Sequence, residues 1–144
     1  MGKESTVVNA IQKALKQSKR TFINVHGNMY SKSGTADIIS MDSRGIFLGI
    51  EVKKYGGKVY PNQYDFLESV LKNNGRAIVL FDDIKTFKDD LVHLIDNHEL
   101  PLQTLSEARN KTPQCSFELT LKEHHAVEDK TISKKESELL DSLL

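Results

Sequence analysis

Asp37, Glu51 and Lys53 are the residues whose types and spacing suit them to chemistry. Glu51 and Lys53 stand two apart in Ile50-Glu51-Val52-Lys53, so on a strand their side chains leave the same face. Asp37 opens the preceding apolar run, Ile38-Ile39-Ser40-Met41, and the turn-like Asp42-Ser43-Arg44-Gly45 separates the two runs. Folding that hairpin brings Asp37 opposite Glu51, or within one step of it. Two carboxylates and an ammonium then share one rim of a sheet. Such a set holds a divalent cation and positions a water for attack on a phosphodiester. A Glu-x-Lys pair alone is commonly a solvated charge pair. The facing Asp37, the small Gly34 and Thr35 and the apolar flanks lift this one to a candidate site.

The elements that must position these residues follow from periodicity. Val7, Ile11, Ala14 and Leu15 recur at helical spacing with lysines between them, predicting an amphipathic helix over residues 4–18. Thr21 to Val25 reads as a short strand and His26 to Ser33 as a loop. The hairpin covers about residues 36–41 and 46–53. After the break Tyr55-Gly56-Gly57-Lys58, Pro61 suits the first turn of a helix and Gly75 its C-terminal cap, with Tyr64, Leu67, Val70 and Leu71 as the apolar stripe between. Ala77 to Phe81 is a continuous apolar run, as in a strand buried on both faces. A last helix over roughly 84–97 carries Phe87, Leu91, Leu94 and Ile95. Returning from a strand near 50 to one near 78 through a helix is a crossover, which implies a parallel pair beside the hairpin.

From Pro101 onward periodicity fades. Ser116 to Leu121 alternates like an edge strand, and Glu136 to Leu144, with four leucines, suits a short helix docking on the body or on a partner. The expected division is a domain over 1–100 and a partly ordered C-terminal extension over 101–144 serving as a dimer or partner contact.

Composition narrows the class. The chain has 144 residues, 38% of them hydrophobic, with no apolar run of membrane-spanning length and no signal-peptide pattern at Met1-Gly2-Lys3-Glu4. The single cysteine, Cys115, excludes an internal disulfide and a cysteine-based zinc knuckle, and fits a reducing compartment, with cytoplasm as the expected location. Net charge is zero, but residues 1–80 hold 12 Lys/Arg against 6 Asp/Glu and residues 81–144 hold 8 against 14. A basic half around a carboxylate cluster suits a polyanion.

Gly34-Thr35-Ala36-Asp37, a strand ending Ile50-Glu51-Val52-Lys53, a Gly-Gly-Lys break, Gln63 opening a helix, then Gly75 and a buried strand together resemble the VRR-NUC branch of the PD-(D/E)XK nuclease superfamily. The resemblance covers approximately residues 4–81. It implies an α/β fold with a restriction-endonuclease-like core of order αβββαβ, a mixed sheet flanked by helices. It maps the metal carboxylates to Asp37 and Glu51, the lysine to Lys53, the glutamine to Gln63 and the first-helix glutamate to Glu4. Ala36 stands where the superfamily's name places proline, a position that contributes no side-chain ligand.

The roles that fit these residues are Mg²⁺ or Mn²⁺ held by Asp37, Glu51 and the Val52 carbonyl, with Lys53 orienting water or stabilising developing charge. Gln63 would hydrogen-bond water or phosphate. Glu4 equally suits a first-turn acid answering the helix dipole. Lys32, Arg44, Lys54 and Lys58 are candidate phosphate contacts, and Tyr55 and Tyr60 candidates for stacking near DNA. His26 suits a hydrogen-bonded structural role better than substrate contact. The adjacent His124 and His125 point apart on an extended segment and make a poor zinc pair.

The expectation is a metal-dependent DNA endonuclease leaving a 5′-phosphate and a 3′-hydroxyl. Compact proteins of this kind resemble junction resolvases, often viral, that act as homodimers, so the expected substrate is four-way or branched DNA. The alternatives are a nicking, repair or host-DNA-degrading nuclease, and a non-catalytic DNA-binding or adaptor protein.

Overall fold

A computed structural model describes residues 4–26, 33–83 and 87–122, the side chains of 87–90 excepted. Lys32, His124, His125 and the leucine-rich segment 136–144 lie outside these residues. The elements run α1 (Glu4–Gln17), β1 (Phe22–Asn24), β2 (Ile38–Met41), β3 (Phe47–Lys53), α2 (Pro61–Lys72), β4 (Arg76–Phe81), α3 (Phe87–Asp96), β5 (Leu102–Thr104), α4 (Leu105–Lys111) and β6 (Phe117–Thr120). The fold is α/β, a mixed six-stranded sheet in the order β1-β2-β3-β4-β6-β5 with helices on both faces.

Strand periodicity sorts the two layers. Leu48, Ile50 and Val52 of β3 pack with Ile78 and Leu80 of β4 against Val7, Val8, Ile11 and Leu15 of α1 and Leu91 and Ile95 of α3. Ala77, Val79 and Phe81 of β4 face the other way, against Tyr64 and Leu67 of α2, Leu105 and Ala108 of α4, and Phe117 and Leu119 of β6. Each Val, Leu, Ile or Phe side chain among them contributes about 1.5–3 kcal/mol on burial. The unbroken apolar run of β4 is thereby explained: all six of its residues are buried. The β3–β4 pair is parallel, as the α2 crossover requires, and β2–β3 is antiparallel with Ile38 opposite Ile50.

The end of α2 differs from expectation. The left-handed residue is Asn74 (φ 66°), and the Gly75 N–H closes on the Val70 carbonyl at 2.9 Å. Gly75 is needed for space instead, since a Cβ there would lie 2.7 Å from Val70 Cγ1.

Beyond residue 100 the chain stays in the sheet. Residues Phe117–Thr120 form an interior strand, not an edge: β6 pairs antiparallel with β4 on one side and parallel with β5 on the other. The position near residue 100 is therefore not a break in the sheet. β5 is only three residues long and owes its state to pairing, so no local pattern announces it. α4 did have a signal: Thr104-Leu105-Ser106-Glu107 matches the Ser/Thr-x-x-Glu start signature, and the Thr104 hydroxyl accepts from the Glu107 N–H at 3.1 Å.

Candidate active site

The site gathers at one end of β2 and β3, where α1 and α2 also begin. β3 carries Glu51 and Lys53 on the α2 side because Leu48, Ile50 and Val52 are committed to the α1 side. Ala36 packs in the α2 layer and Ile38 in the α1 layer, although residues two apart on a strand share a face. The chain therefore turns over at Asp37, one residue before β2. The Asp37 carbonyl accepts from both Val25 N–H (2.7 Å) and His26 N–H (3.0 Å). Its carboxylate is freed from the ladder. Oδ2 accepts from the Val52 N–H at 2.8 Å, and Oδ1 lies 2.8 Å from His26 Nδ1.

The Val52 contact also fixes a backbone direction. The N–H and carbonyl of one strand residue face the same neighbour, so the Val52 carbonyl faces the Asp37 side of β3.

Gly34 seats the loop leading to Asp37. Its φ is +88°, and a Cβ would fall 2.6 Å from the Asn62 carbonyl oxygen. The glycine thus admits the start of α2, while Asn62 Nδ2 donates to Ser33 Oγ at 3.0 Å.

Glu51 is 1% exposed, and neither carboxylate oxygen has a hydrogen-bond partner. Lys53 Nζ is 3.6 Å from Glu51 Oε1, close enough for charge attraction and too far for a good hydrogen bond. Burial first, then the charge of Asp37, push the Glu51 carboxyl up to about 9; Lys53 opposes this, while a hydrogen bond that the protonated carboxyl donates to Asp37, and the charge of Glu4, add to it. A buried carboxylate without donors is a costly arrangement for a fold to keep. A divalent cation between Glu51 and Asp37 would relieve both defects at once, supplying the missing partner and offsetting the repulsion. The oxygen donors fit a hard cation such as Mg²⁺ or Mn²⁺.

Glu4, in the first turn of α1, reaches this centre. One ligand atom each from Glu4, His26 and Asp37 lie within 4.8 Å of one another. Antiparallel pairing of β1 with β2 brings His26 there: Asn24 stands opposite Ile38, so the chain just after β1 runs beside Asp37. That pairing was the available signal for His26.

Gln63 sits at the start of α2 as expected, but its Oε1 accepts from the Tyr60 N–H at 2.8 Å. The carboxamide oxygen caps its own helix.

Of the candidate DNA contacts, Lys54, Tyr55, Lys58 and Tyr60 are exposed on the segment after β3, at the site's end of the sheet. Lys53 Nζ lies 5.4 Å from the centre of the Tyr60 ring. Arg44 lies elsewhere, on the turn at the far end of the hairpin, where it pairs with Asp42 at 3.7 Å. The four steps of β3 from Phe47 to Glu51 alone amount to roughly 13 Å of strand.

The segment after α4 braces this region, a contribution the sequence reading missed. Gln114 accepts from the Gly56 N–H (2.6 Å) and donates to the Gly57 carbonyl (3.2 Å). A groove beside the site is lined by Lys58, Tyr60, Pro61, Tyr64, Arg109 and Pro113, among others. The Arg109 guanidinium lies 5.2 Å from the centre of the Tyr64 ring.

Among the described residues no helix is long and apolar enough to cross a membrane. In comparisons with known proteins, no family model matched the chain and no curated protein matched it.

Proposed function

We propose that this chain is a metal-dependent DNA endonuclease of the VRR-NUC kind, with a restriction-endonuclease-like core, acting as a homodimer on branched or four-way DNA. The observation that carries the reading is Glu51: a carboxylate buried without a donor, beside a second carboxylate and a lysine, at the rim of a sheet. A structural ion pair would be expected to close that gap, whereas a cation site leaves it for the ion. The order α1-β1-β2-β3-α2-β4 is the one that the resemblance implies, and it supports the reading.

In this mechanism Asp37, Glu51 and the Val52 carbonyl would hold Mg²⁺ or Mn²⁺, which would supply Lewis-acid activation of water and of the scissile phosphate. Lys53, anchored at the end of β3 and 4% exposed, places a positive charge where negative charge develops on the phosphoryl oxygens. Its position over Tyr60 keeps the ammonium on the side of the exposed residues that would receive DNA. Lys54 and Lys58 neutralise flanking phosphates, and Tyr55 and Tyr60 offer flat faces to bases. None of these contacts reads a base edge, which favours recognition of DNA shape.

The test is cleavage of labelled four-way junction, linear duplex and single strand, with Mg²⁺, Mn²⁺ or EDTA. Wild type is expected to cut the junction symmetrically, in a metal-dependent way. Asp37→Ala should abolish cleavage, and Lys53→Met should lower the rate about 10²–10³-fold while metal binding persists. No cleavage of any substrate overturns the enzyme reading. Equal rates on duplex and junction retain the nuclease and remove the junction preference.

A further inference from the structure

We propose that His26 is a metal ligand, and that the mixed nitrogen–oxygen set of Glu4, His26 and Asp37 makes this a centre that prefers Mn²⁺ to Mg²⁺. The inference rests on the metal centre proposed above and adds to it the nature of the ion. Ligand atoms in neighbouring positions around an ion at ~2.1 Å stand about 3 Å apart. His26 Nδ1 and Asp37 Oδ1 are 2.8 Å apart, and Glu4 completes a triangle whose edges all lie within 4.8 Å. The His26–Asp37 edge already has the spacing of neighbouring ligands, and Glu4 is near enough to close on the same ion by a side-chain adjustment.

A second observation, on the side chain next to Asp37, points to a cation. Glu51 is 1% exposed and neither of its oxygens accepts a hydrogen bond, Lys53 Nζ standing 3.6 Å from Oε1. Glu4, His26 and Asp37 thus come together from α1 and the ends of β1 and β2, with Glu51 one residue beyond the Ile38–Ile50 pair on the neighbouring strand.

The donor types then choose among ions. Mg²⁺ takes oxygen ligands and dehydrates reluctantly, so an imidazole adds little to its binding. Imidazole nitrogen suits first-row transition ions, which bind it more tightly in the order from Mn²⁺ to Cu²⁺; Mn²⁺ is the member of that row that shares the oxygen donors of Mg²⁺. Ligation through Nδ1 uses the tautomer protonated at Nε2, so the ring stays neutral and the Nδ1–H···Oδ1 contact is exchanged for two bonds to the ion. His26 is 28% exposed at its side chain, so it can make this exchange without rearranging the core.

Equilibrium binding of Mn²⁺ to metal-free protein, followed by the loss of the free-ion electron paramagnetic resonance signal, with Mg²⁺ as competitor, tests this without reference to cleavage. Wild type is expected to bind Mn²⁺ at least about 10-fold more tightly than Mg²⁺. His26→Ala should lose ~10–100-fold in Mn²⁺ affinity, while Mg²⁺ affinity changes less than about 3-fold. His26→Asn keeps a polar side chain at the position and should lose the same preference, which decides the matter if the alanine variant does not fold. Unchanged Mn²⁺ affinity in both folded variants, equal losses for the two ions, or no metal binding by wild type would overturn the proposal. Its failure is separable from that of the nuclease reading: cleavage persisting with Mn²⁺ preference unchanged in the His26 variants sinks only the ligand assignment. Binding as expected with no DNA cut sinks only the nuclease.

Discussion

At the scale of single residues, Glu51 carries the most information. A carboxyl held at about 9 in the folded chain and near its ordinary value when unfolded binds more protons in the native state. The contribution of this one group to the metal-free fold is therefore fully present below about pH 4.5 and is lost as pH rises toward 9. Glu51→Gln should remove that dependence. Urea melts in EDTA are expected to show the variant more stable than wild type at pH 8–9, by a few kcal/mol, with little difference near pH 4. A wild-type midpoint that rises through this window would contradict the assignment. With Mn²⁺ present the order should reverse, because an ion that binds only the folded carboxylate stabilises wild type alone.

At the scale of elements, two residues that a motif reading assigns to chemistry also hold the framework. Gly34 lets the loop before Asp37 pass against α2, and Gly34→Ala would combine a left-handed φ with a 2.6 Å approach to the Asn62 carbonyl. A loss of about 1–3 kcal/mol in thermal or urea unfolding is expected. Gln63 accepts the Tyr60 N–H through its carbonyl oxygen, a bond that a carboxylate can replace. Gln63→Ala should cost about 1 kcal/mol, whereas Gln63→Glu should retain stability; equal losses in the two variants would remove the capping role. The two helices differ in legibility for a physical reason. α2 announces itself through Pro61, a stripe of apolar residues and the Asn74-Gly75 stop. α4 has just seven residues and one strong signal, Thr104-x-x-Glu107, because its stability comes from burying Leu105 and Ala108 against α2 and β6.

At the scale of the whole molecule, the end of the sheet opposite the site is locked by Arg76. Its guanidinium bonds both oxygens of Glu118 on β6 at 2.9 and 2.6 Å, Asp42 Oδ2 at 3.1 Å and the Ile95 carbonyl at 2.8 Å. Burial works against the charges on Arg76 and Asp42. For Arg76 the bond and charge of Glu118, with Asp42, overcome it and raise the guanidinium. For Asp42 the N–H groups of Ile46 and Arg44, together with Arg76, overcome it and hold the carboxyl below its ordinary value. Because Asp42 gains its charge on the way to neutral pH, its share of stability is present above the ordinary carboxylate range and is lost as pH falls through the depressed value. Arg76→Met would remove the guanidinium that bonds both buried carboxylates, leaving Asp42 only the exposed Arg44 at 3.7 Å, and a loss of about 3–5 kcal/mol in urea unfolding is expected. A loss below 1 kcal/mol would mean that solvent reaches the pair. The network couples β2, β4, β6 and α3, so residues past 100 support the same body that presents the site.

The sequence by itself determined the alternation that turns Glu51 and Lys53 to one face, the hairpin that returns Glu51 toward Asp37, and the parallel β3–β4 pair, since each follows from local periodicity and turn chemistry. Only the tertiary structure decided the rest. It turned the chain over at Asp37, brought His26 and Glu4 to that carboxylate, left Glu51 without a donor, spent the Gln63 oxygen on a cap, and placed Arg44 at the far end of the hairpin. These are consequences of which strands pair and which layers pack, and such long-range choices leave no trace in the spacing of neighbours along the chain.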